Sequence, residues 1–212
     1  NRFPLRIVWM QLMAGRVLDD IPADVAHFTN GMLPLGTGSA RVVTIHDMSL
    51  TLFPPCHPLR RLVINRPLLG LAARVADEVV TVSHSARRDL LRLHGLPPER
   101  VTVAHEAAGP GFTPIEDPVK RARIRARYGL PEPFVLYVGA IEPRKNLPRL
   151  MDAFADARRA GVEHQLVCVG PYGWSSRDLY EQIDRLGLRR LVHFTGYVPT
   201  DDLPVIYNLA EF

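Results

Sequence analysis

At 212 residues, 47% hydrophobic and 23% charged, the chain has an ordinary globular composition, which excludes a disordered or fibrous polypeptide and suits one large or two small domains. No run of 18 apolar residues and no charged-then-apolar leader is present, so neither a spanning helix nor a signal peptide is expected, and the expected compartment is cytoplasmic. The net charge is +4, and Cys56 and Cys168 show no C-x-x-C spacing, which argues against a zinc site or a disulfide framework.

In chain order, strands are predicted at 24–28 (DVAHF), 41–47 (RVVTIHD), 78–83 (EVVTVS) and 100–106 (RVTVAHE), then at 134–140 (FVLYVGA), 164–170 (HQLVCVG) and 191–196 (LVHFTG). Their apolar character is continuous rather than alternating, the pattern of strands covered on both faces in a parallel sheet. Helical patterns fall between them. The first covers 57–77, where Pro67 is predicted to kink or split it. The second covers 83–95, with Ser83 or Ser85 as N-cap and Gly95 as stop. The third covers 117–129, opened by Asp117 and Pro118. Two more cover 147–161 and 175–187, and the chain stops in a short one within TDDLPVIYNLAEF. Repeated strand–helix–strand units predict right-handed crossovers and doubly wound sheets. Three prolines and two glycines in 106–118 mark a seam. Residues 1–115 read as one α/β unit, 116–130 as a linker with its helix, and 131–212 as the beginning of a second unit. The chain opens on Asn1 rather than Met, so a piece is expected to precede it, and the second unit reads as truncated.

The stretch YVGAIEPRKN (137–146) poses the chemical question: a buried strand empties into two adjacent cations at the foot of a helix. Ligands of open parallel sheets bind beyond the carboxyl ends of strands, where Gly139 falls. A helix N-terminus offers free N–H groups and a positive dipole end. Arg144 and Lys145 add formal charge there, and only two of the 26 basic residues, Lys120 and Lys145, are lysine. The stretch reads equally as a diphosphate site or as a helix start with solvated charges. It is neither a P-loop nor a G-x-G-x-x-G fingerprint. His46 and Asp47 close another predicted strand, suited either to proton transfer and hydrogen bonding or to capping the loop. Without a G-x-S-x-G elbow, a hydrolytic triad is not expected. Ser83, Ser85, Arg87 and Arg88 read first as an ordinary cap with a basic face. Arg60, Arg61, Arg66, Arg74, Arg87, Arg88 and Arg92 make the first half basic. That is a solvated face in the simpler reading, and a face for anionic lipid or a pyrophosphate-carrying acceptor in the other. No aromatic interleaving of the nucleic-acid type occurs. Gly170 in GPYGW (170–174) and Gly196 in TGYVPTDDLP (195–204) permit close backbone approach or serve as simple turns. No His/Cys/Asp/Glu cluster has metal spacing, so no protein-held metal is expected.

Taken in order, DVAHFTNGMLPL, VVTIHDMSLTLFP, ADEVVTVSHSARRDLL, YVGAIEPRKNLPRLMDAFADAR, VGPYGW and FTGYVPTDDLPVIYNLA resemble family 4 (group 1) retaining glycosyltransferases of the two-domain GT-B fold, from about residue 24 to the end. The resemblance implies two Rossmann-like domains and sugar transfer from a nucleotide-sugar donor to a glycan, lipid-linked or small-molecule acceptor. By motif, Lys145 is implied to hold the donor diphosphate, helped by Arg144 beside Gly139. His46 is implied to face the donor sugar and phosphate, and Gly196, Tyr197 and Val198, with Gly170, to meet the base. The EPRKN variant is similar to mannosyltransferase-like members, so the first expectation is GDP-mannose, with no cofactor. Ala140 stands where many relatives carry an arginine. The family's glycine-rich loop and its glutamate-bearing segment are both missing from the motifs found, so the chain reads as incomplete at both ends. A non-catalytic GT-B-like module and a sugar-nucleotide epimerase relative are the alternatives.

Overall fold

A computed structural model describes residues 3–34, 36, 38–173 and 177–212. The chain divides into two compact units, Asn1–Ala107 and Ala108–Phe212. Unit 1 contains α1 (Phe3–Leu12), α2 (Ala14–Asp19), β1 (Val25–Phe28), β2 (Ala40–Thr44), α3 (Ser49–Leu52), α4 (Leu59–Val75), β3 (Glu78–Thr81), α5 (His84–His94) and β4 (Val101–Val103). Unit 2 contains α6 (Pro118–Tyr128), β5 (Phe134–Val138), α7 (Leu147–Arg159), β6 (Gln165–Val169), α8 (Arg177–Arg185), β7 (Val192–Gly196) and α9 (Leu203–Leu209).

The strands of unit 1 lie in the order β1-β2-β3-β4, all parallel. Val43, Ile45, Val79 and Val101 meet Ala72, Ala73 and Leu90 in one core, where the alanines let α4 close on the sheet. Ser83 opens α5 by accepting the Ala86 N–H at 3.1 Å, and Gly95 closes it at φ +62°. Of the kink or split expected at Pro67, the split does not occur: α4 is continuous through it. Pro67 lacks an N–H for the Val63 carbonyl, but Val63 is 65% exposed, so water can serve that carbonyl. β2 stops at Thr44, short of the predicted 47, and β4 stops at Val103, short of 106. Helices α1 and α2 carried no sequence prediction.

In unit 2 the order is β5-β6-β7, again parallel, with Phe134 opposite Gln165 and Val138 opposite Val169. Side chains alternate across this sheet as its pleat requires. Val135, Tyr137, Leu166 and Cys168 pack with Met151 and Phe154 of α7 and Leu179 and Ile183 of α8. Phe134, Leu136, Val138, Val167 and Val169 pack instead with Ile124 of α6 and Val205 and Ile206 of α9. The sheet is thus covered on both faces, which is why its strands read as unbroken apolar runs. Each fully buried Ile, Leu or Met contributes about 1.5–3 kcal/mol. Asp117 caps α6 by accepting the Val119 and Lys120 N–H groups at 2.9 and 3.0 Å. Two further bonds lie on the edge of β5 away from β6: Glu211 N–H donates to the Phe134 carbonyl at 3.0 Å, and Leu136 N–H to that of Phe212 at 2.8 Å.

Candidate functional site

At the carboxyl edge of the unit 2 sheet, three glycines step from strand to strand. Gly139, after β5, donates its N–H to Val169 O at 2.8 Å, and Gly170, after β6, donates to Gly196 O at 2.9 Å. Gly170 has φ +147°, and a Cβ there would stand 2.1 Å from the Gly139 carbonyl oxygen. Only glycine lets these two strand ends approach so closely. The loops then stay joined: Ile141 N–H donates to Pro171 O, and Gly173 N–H to Ile141 O, both at 3.0 Å. The buried Ile141 side chain anchors this crossing in the core.

The cations follow on a single 3-10 turn, Pro143–Lys145, whose Lys145 N–H donates to Glu142 O at 3.0 Å. Asn146 takes a left-handed conformation, φ +54°, and launches α7 at Leu147. Arg144 is not the bare charge that the sequence implied, because it pairs with Glu142 at 2.9 Å. Lys145 is exposed, and its side chain has no partner among the described residues. The formal charge of this turn is therefore +1, from Glu142, Arg144 and Lys145, and Lys145 is the member open to a ligand. Pro148, at the second position of α7, has no N–H, so fewer donors face outward here than a helix start usually supplies.

Tyr197 is 70% exposed, whereas Val198 is buried against α6 and α9 and can offer a ligand only its backbone. Gly196 sits at φ +73° with its carbonyl accepting from Gly170 N–H and from Thr195 Oγ1. Tyr172, half exposed, lies over Tyr180 and Phe194 with ring centroids 6.4 and 6.3 Å away. Burial raises the Tyr180 phenol well above its ordinary value, aided by a hydrogen bond to Tyr172. This aromatic floor was not among the sequence-derived residues. Trp174 of GPYGW lies outside the described residues, as do Ser175 and Ser176 at the predicted start of the 175–187 helix. The structure thus brings Gly139, Arg144, Lys145, Gly170, Gly196, Tyr197 and the Val198 backbone to one region, the carboxyl edge of one sheet.

His46 lies at the corresponding edge of unit 1, just past the end of β2. Its Nε2 faces the Thr29 carbonyl at 3.0 Å, and its Nδ1 lies 3.1 Å from Glu106 Oε1. Both ring nitrogens thus have acceptors within the unit. Asp47 is turned to a local role, accepting the Ser49 N–H at 2.8 Å. His105 and His84 stand beside one another in edge geometry, centroids 5.4 Å apart, with His105 Nδ1 3.2 Å from Val82 O. Glu106, His84 and His105 escaped the sequence reading because each lies far along the chain from His46. Ser83 serves as the helix cap, as the simpler reading had it. Among the described residues no group of three or more His, Cys, Asp or Glu side chains could hold a metal, and no helix is long and apolar enough to cross a membrane.

The Glycosyltransferase Family 4 model matches residues 1–107, and the model for Glycosyl transferases group 1 matches residues 120–212. The O-antigen chain mannosyltransferase B of Escherichia coli is 29% identical over 217 residues, covering 100% of this chain and 56% of that protein. The GDP-mannose-dependent alpha-(1-6)-phosphatidylinositol monomannoside mannosyltransferase of Mycolicibacterium smegmatis is 29% identical over 224 residues, covering 88% of this chain and 56% of that protein. A glycosyltransferase crystal structure from Rickettsia africae superposes with a TM-score of 0.68 at 16% identity, covering 98% of this chain and 55% of that one. The chain spans about half the length of these relatives. With both halves matched in order and both units built as parallel α/β sheets, the chain belongs to the group 1, family 4 glycosyltransferases of GT-B fold.

Proposed function

We propose that the chain is the part of a retaining glycosyltransferase that receives a nucleotide-sugar donor, GDP-mannose in the first instance, and that the carboxyl edge of the unit 2 sheet holds the donor diphosphate. The observation that carries this reading is Lys145: an exposed ammonium without a side-chain partner among the described residues, on a loop pinned to its neighbour and set above glycine strand ends. As the glycosidic bond breaks, negative charge grows on the leaving nucleoside diphosphate. A cation carried by this turn stabilises that charge electrostatically. Arg144 acts second to Lys145, because a phosphate must compete with Glu142 for it. Gly170, Gly196, Tyr197 and Val198 meet the base mainly through backbone atoms, and Tyr172 offers a ring for stacking. His46 is the catalytic residue that unit 1 supplies in this reading. The mannosyl donor is supported by the GDP-mannose-dependent relative and by the O-antigen mannosyltransferase. The acceptor is a glycan or a lipid-linked sugar, met by a protein in peripheral contact with a membrane.

Calorimetric titration of the 212-residue chain with GDP, UDP and ADP tests the proposal. GDP is expected to bind, and Lys145→Ala to weaken it about tenfold or more, as loss of a charge-assisted contact of about 1.5–3 kcal/mol requires. Unchanged GDP affinity in a folded Lys145→Ala variant would sink the assignment, and preferential UDP binding would replace the donor.

A further inference from the structure

The carboxyl edge of the unit 1 sheet is braced from beneath by one residue. Thr81, the last residue of β3, is fully buried, and its Oγ1 donates to the Ile45 carbonyl at 2.8 Å. Its own carbonyl accepts the Ala104 N–H, also at 2.8 Å. Ile45 is buried too, and donates its N–H to Val80 O at 2.9 Å. Ile45 directly precedes His46, and Ala104 stands two residues before Glu106. The chain leaving β2 and the chain leaving β4 are thus both fastened to the strand that lies between them. His105 adds a further tie, with its Nδ1 3.2 Å from Val82 O and its ring edge-on to His84. Across the end of β3, this frame brings His46 Nδ1 to 3.1 Å from Glu106 Oε1.

The pair does little for stability. Its side chains are 48% and 68% exposed, and an ion pair so open to water contributes little to folding. Glu106 is also not engaged elsewhere: among the described residues no arginine or lysine pairs with it, although Asp77 and Asp89 in the same unit each hold an arginine. A carboxylate only accepts, so the proton in the His46 contact belongs to Nδ1. The partner of Nε2 is the Thr29 carbonyl at 3.0 Å, a neutral acceptor. Hydrogen bonds to an ionised acceptor are stronger than those to a neutral one. Of the two holds on the ring, the one on Nε2 is therefore the one that a ligand can displace.

We propose that Glu106 is a positioning residue for His46: it holds the imidazole by Nδ1 and leaves Nε2 as the nitrogen that meets the nucleotide-sugar donor. The assignment rests on the reading of His46 given above. Glu106 does not itself touch the donor and acts only through the ring. It directly precedes Ala107, where unit 1 ends, so the segment that leads out of the unit also sets the orientation of the unit's catalytic side chain.

Two measurements on the 212-residue chain test it. The first contains no ligand. Long-range proton–nitrogen correlation spectra at neutral pH show which ring nitrogen of His46 carries a proton, the signals being assigned with His46→Ala. A proton on Nδ1 is expected, with its population reduced in Glu106→Ala and intermediate in Glu106→Gln, whose amide oxygen still accepts. The second is calorimetric titration with GDP-mannose. Glu106→Ala is expected to weaken binding about fivefold, the weight of one ordinary hydrogen bond, and His46→Ala at least as much. In the His46→Ala background, Glu106→Ala should change nothing further, since a positioning residue acts only through the ring it holds. Melting temperatures should stay put, because Glu106 is exposed. Unchanged His46 nitrogen signals in Glu106→Ala, or additive losses in the double variant, overturn the proposal. So does full GDP-mannose affinity in Glu106→Ala where His46→Ala weakens it, an outcome that leaves His46 its role. If His46→Ala changes nothing, the role of His46 falls and the proposal with it, while Lys145→Ala still judges the diphosphate site separately. If GDP-mannose does not bind, the donor reading fails, and the ring spectra alone accept or reject Glu106 as the residue that orients His46.

Discussion

Replacing Gly170 by alanine tests whether the unit 2 edge is built on the contact described for it. The added Cβ would lie 2.1 Å from the Gly139 oxygen, 2.6 Å from its carbon and 3.2 Å from the Ala140 nitrogen, all backbone atoms. An ordinary carbon–oxygen contact is about 3.3 Å, so the strand ends must part by about 1.2 Å. That separation weakens the Gly139–Val169 and Gly170–Gly196 hydrogen bonds, each worth about 1 kcal/mol net. Alanine at φ +147° adds about 1–3 kcal/mol of backbone strain. The sum is about 4 kcal/mol, a large share of the stability of an ordinary domain. With a urea dependence of about 2 kcal/mol/M, the unfolding midpoint of unit 2 should fall by about 2 M. Gly161→Ala is the control: that glycine also has positive φ, +95°, but a Cβ there meets nothing within 4 Å. It should cost only about 1 kcal/mol. Circular dichroism during urea unfolding reads both. If the two variants unfold within ~0.5 kcal/mol of one another, the close approach of the strand ends is not what requires glycine, and the argument fails.

Three further outcomes are expected. Asp117→Ala, which removes the acceptor of two α6 amide bonds, should destabilise unit 2 by about 1 kcal/mol, seen as a lower urea midpoint; no change would deny the cap its role. Burial, with the Arg74 charge second, lowers His94 below its ordinary 6.5, so the unfolded chain binds that proton more tightly than the folded one. The stability due to its neutral ring is complete above pH 6.5 and lost as pH falls from there through the folded value, so His94→Gln should flatten that slope in unfolding curves taken at each pH. Burial pushes the Cys168 thiol up to about 12, while Cys56 is only partly buried. A thiol reagent at neutral pH should therefore label Cys56 in the native protein and Cys168 only after unfolding; native labelling of Cys168, read by mass spectrometry, would show the unit 2 core to be open.

What could be read from the sequence, and what could not, follows from how local each cause is. Phe134–Val138 was legible because both faces of β5 are covered, and its neighbours show the same signature for the same reason. Helix ends were legible at Asp117, Ser83, Gly95 and Gly129, since a cap acts within three residues of itself. The placing of Lys145 at a strand-to-helix junction was legible for that reason too. Pro67 misled because its cost depends on whether the stranded carbonyl is wet, a fact of tertiary exposure. Glu142 neutralising Arg144 and Glu106 meeting His46 were missed for different reasons: the first is a side-chain choice within a turn, the second a contact across 60 positions of chain. The close approach at Gly170 depends on the phase of two strands, which no single stretch records.

The two hydrogen bonds on the outer edge of β5 carry a topological consequence. The chain leaves β7, crosses to the other face of the sheet as α9, and lays residues 211–212 alongside β5 on the side away from β6. Winding runs outward from β5 in one direction through β6 and β7, and then reverses to the opposite flank of the same strand. β5 is therefore the point at which the two directions of winding part. The connections on its two sides lie on opposite faces, and in open parallel sheets it is at the carboxyl end of such a strand that ligands bind. Gly139 stands at that end and Lys145 six residues beyond it, so the position of the proposed diphosphate site is set by the order of the strands before any side chain is chosen.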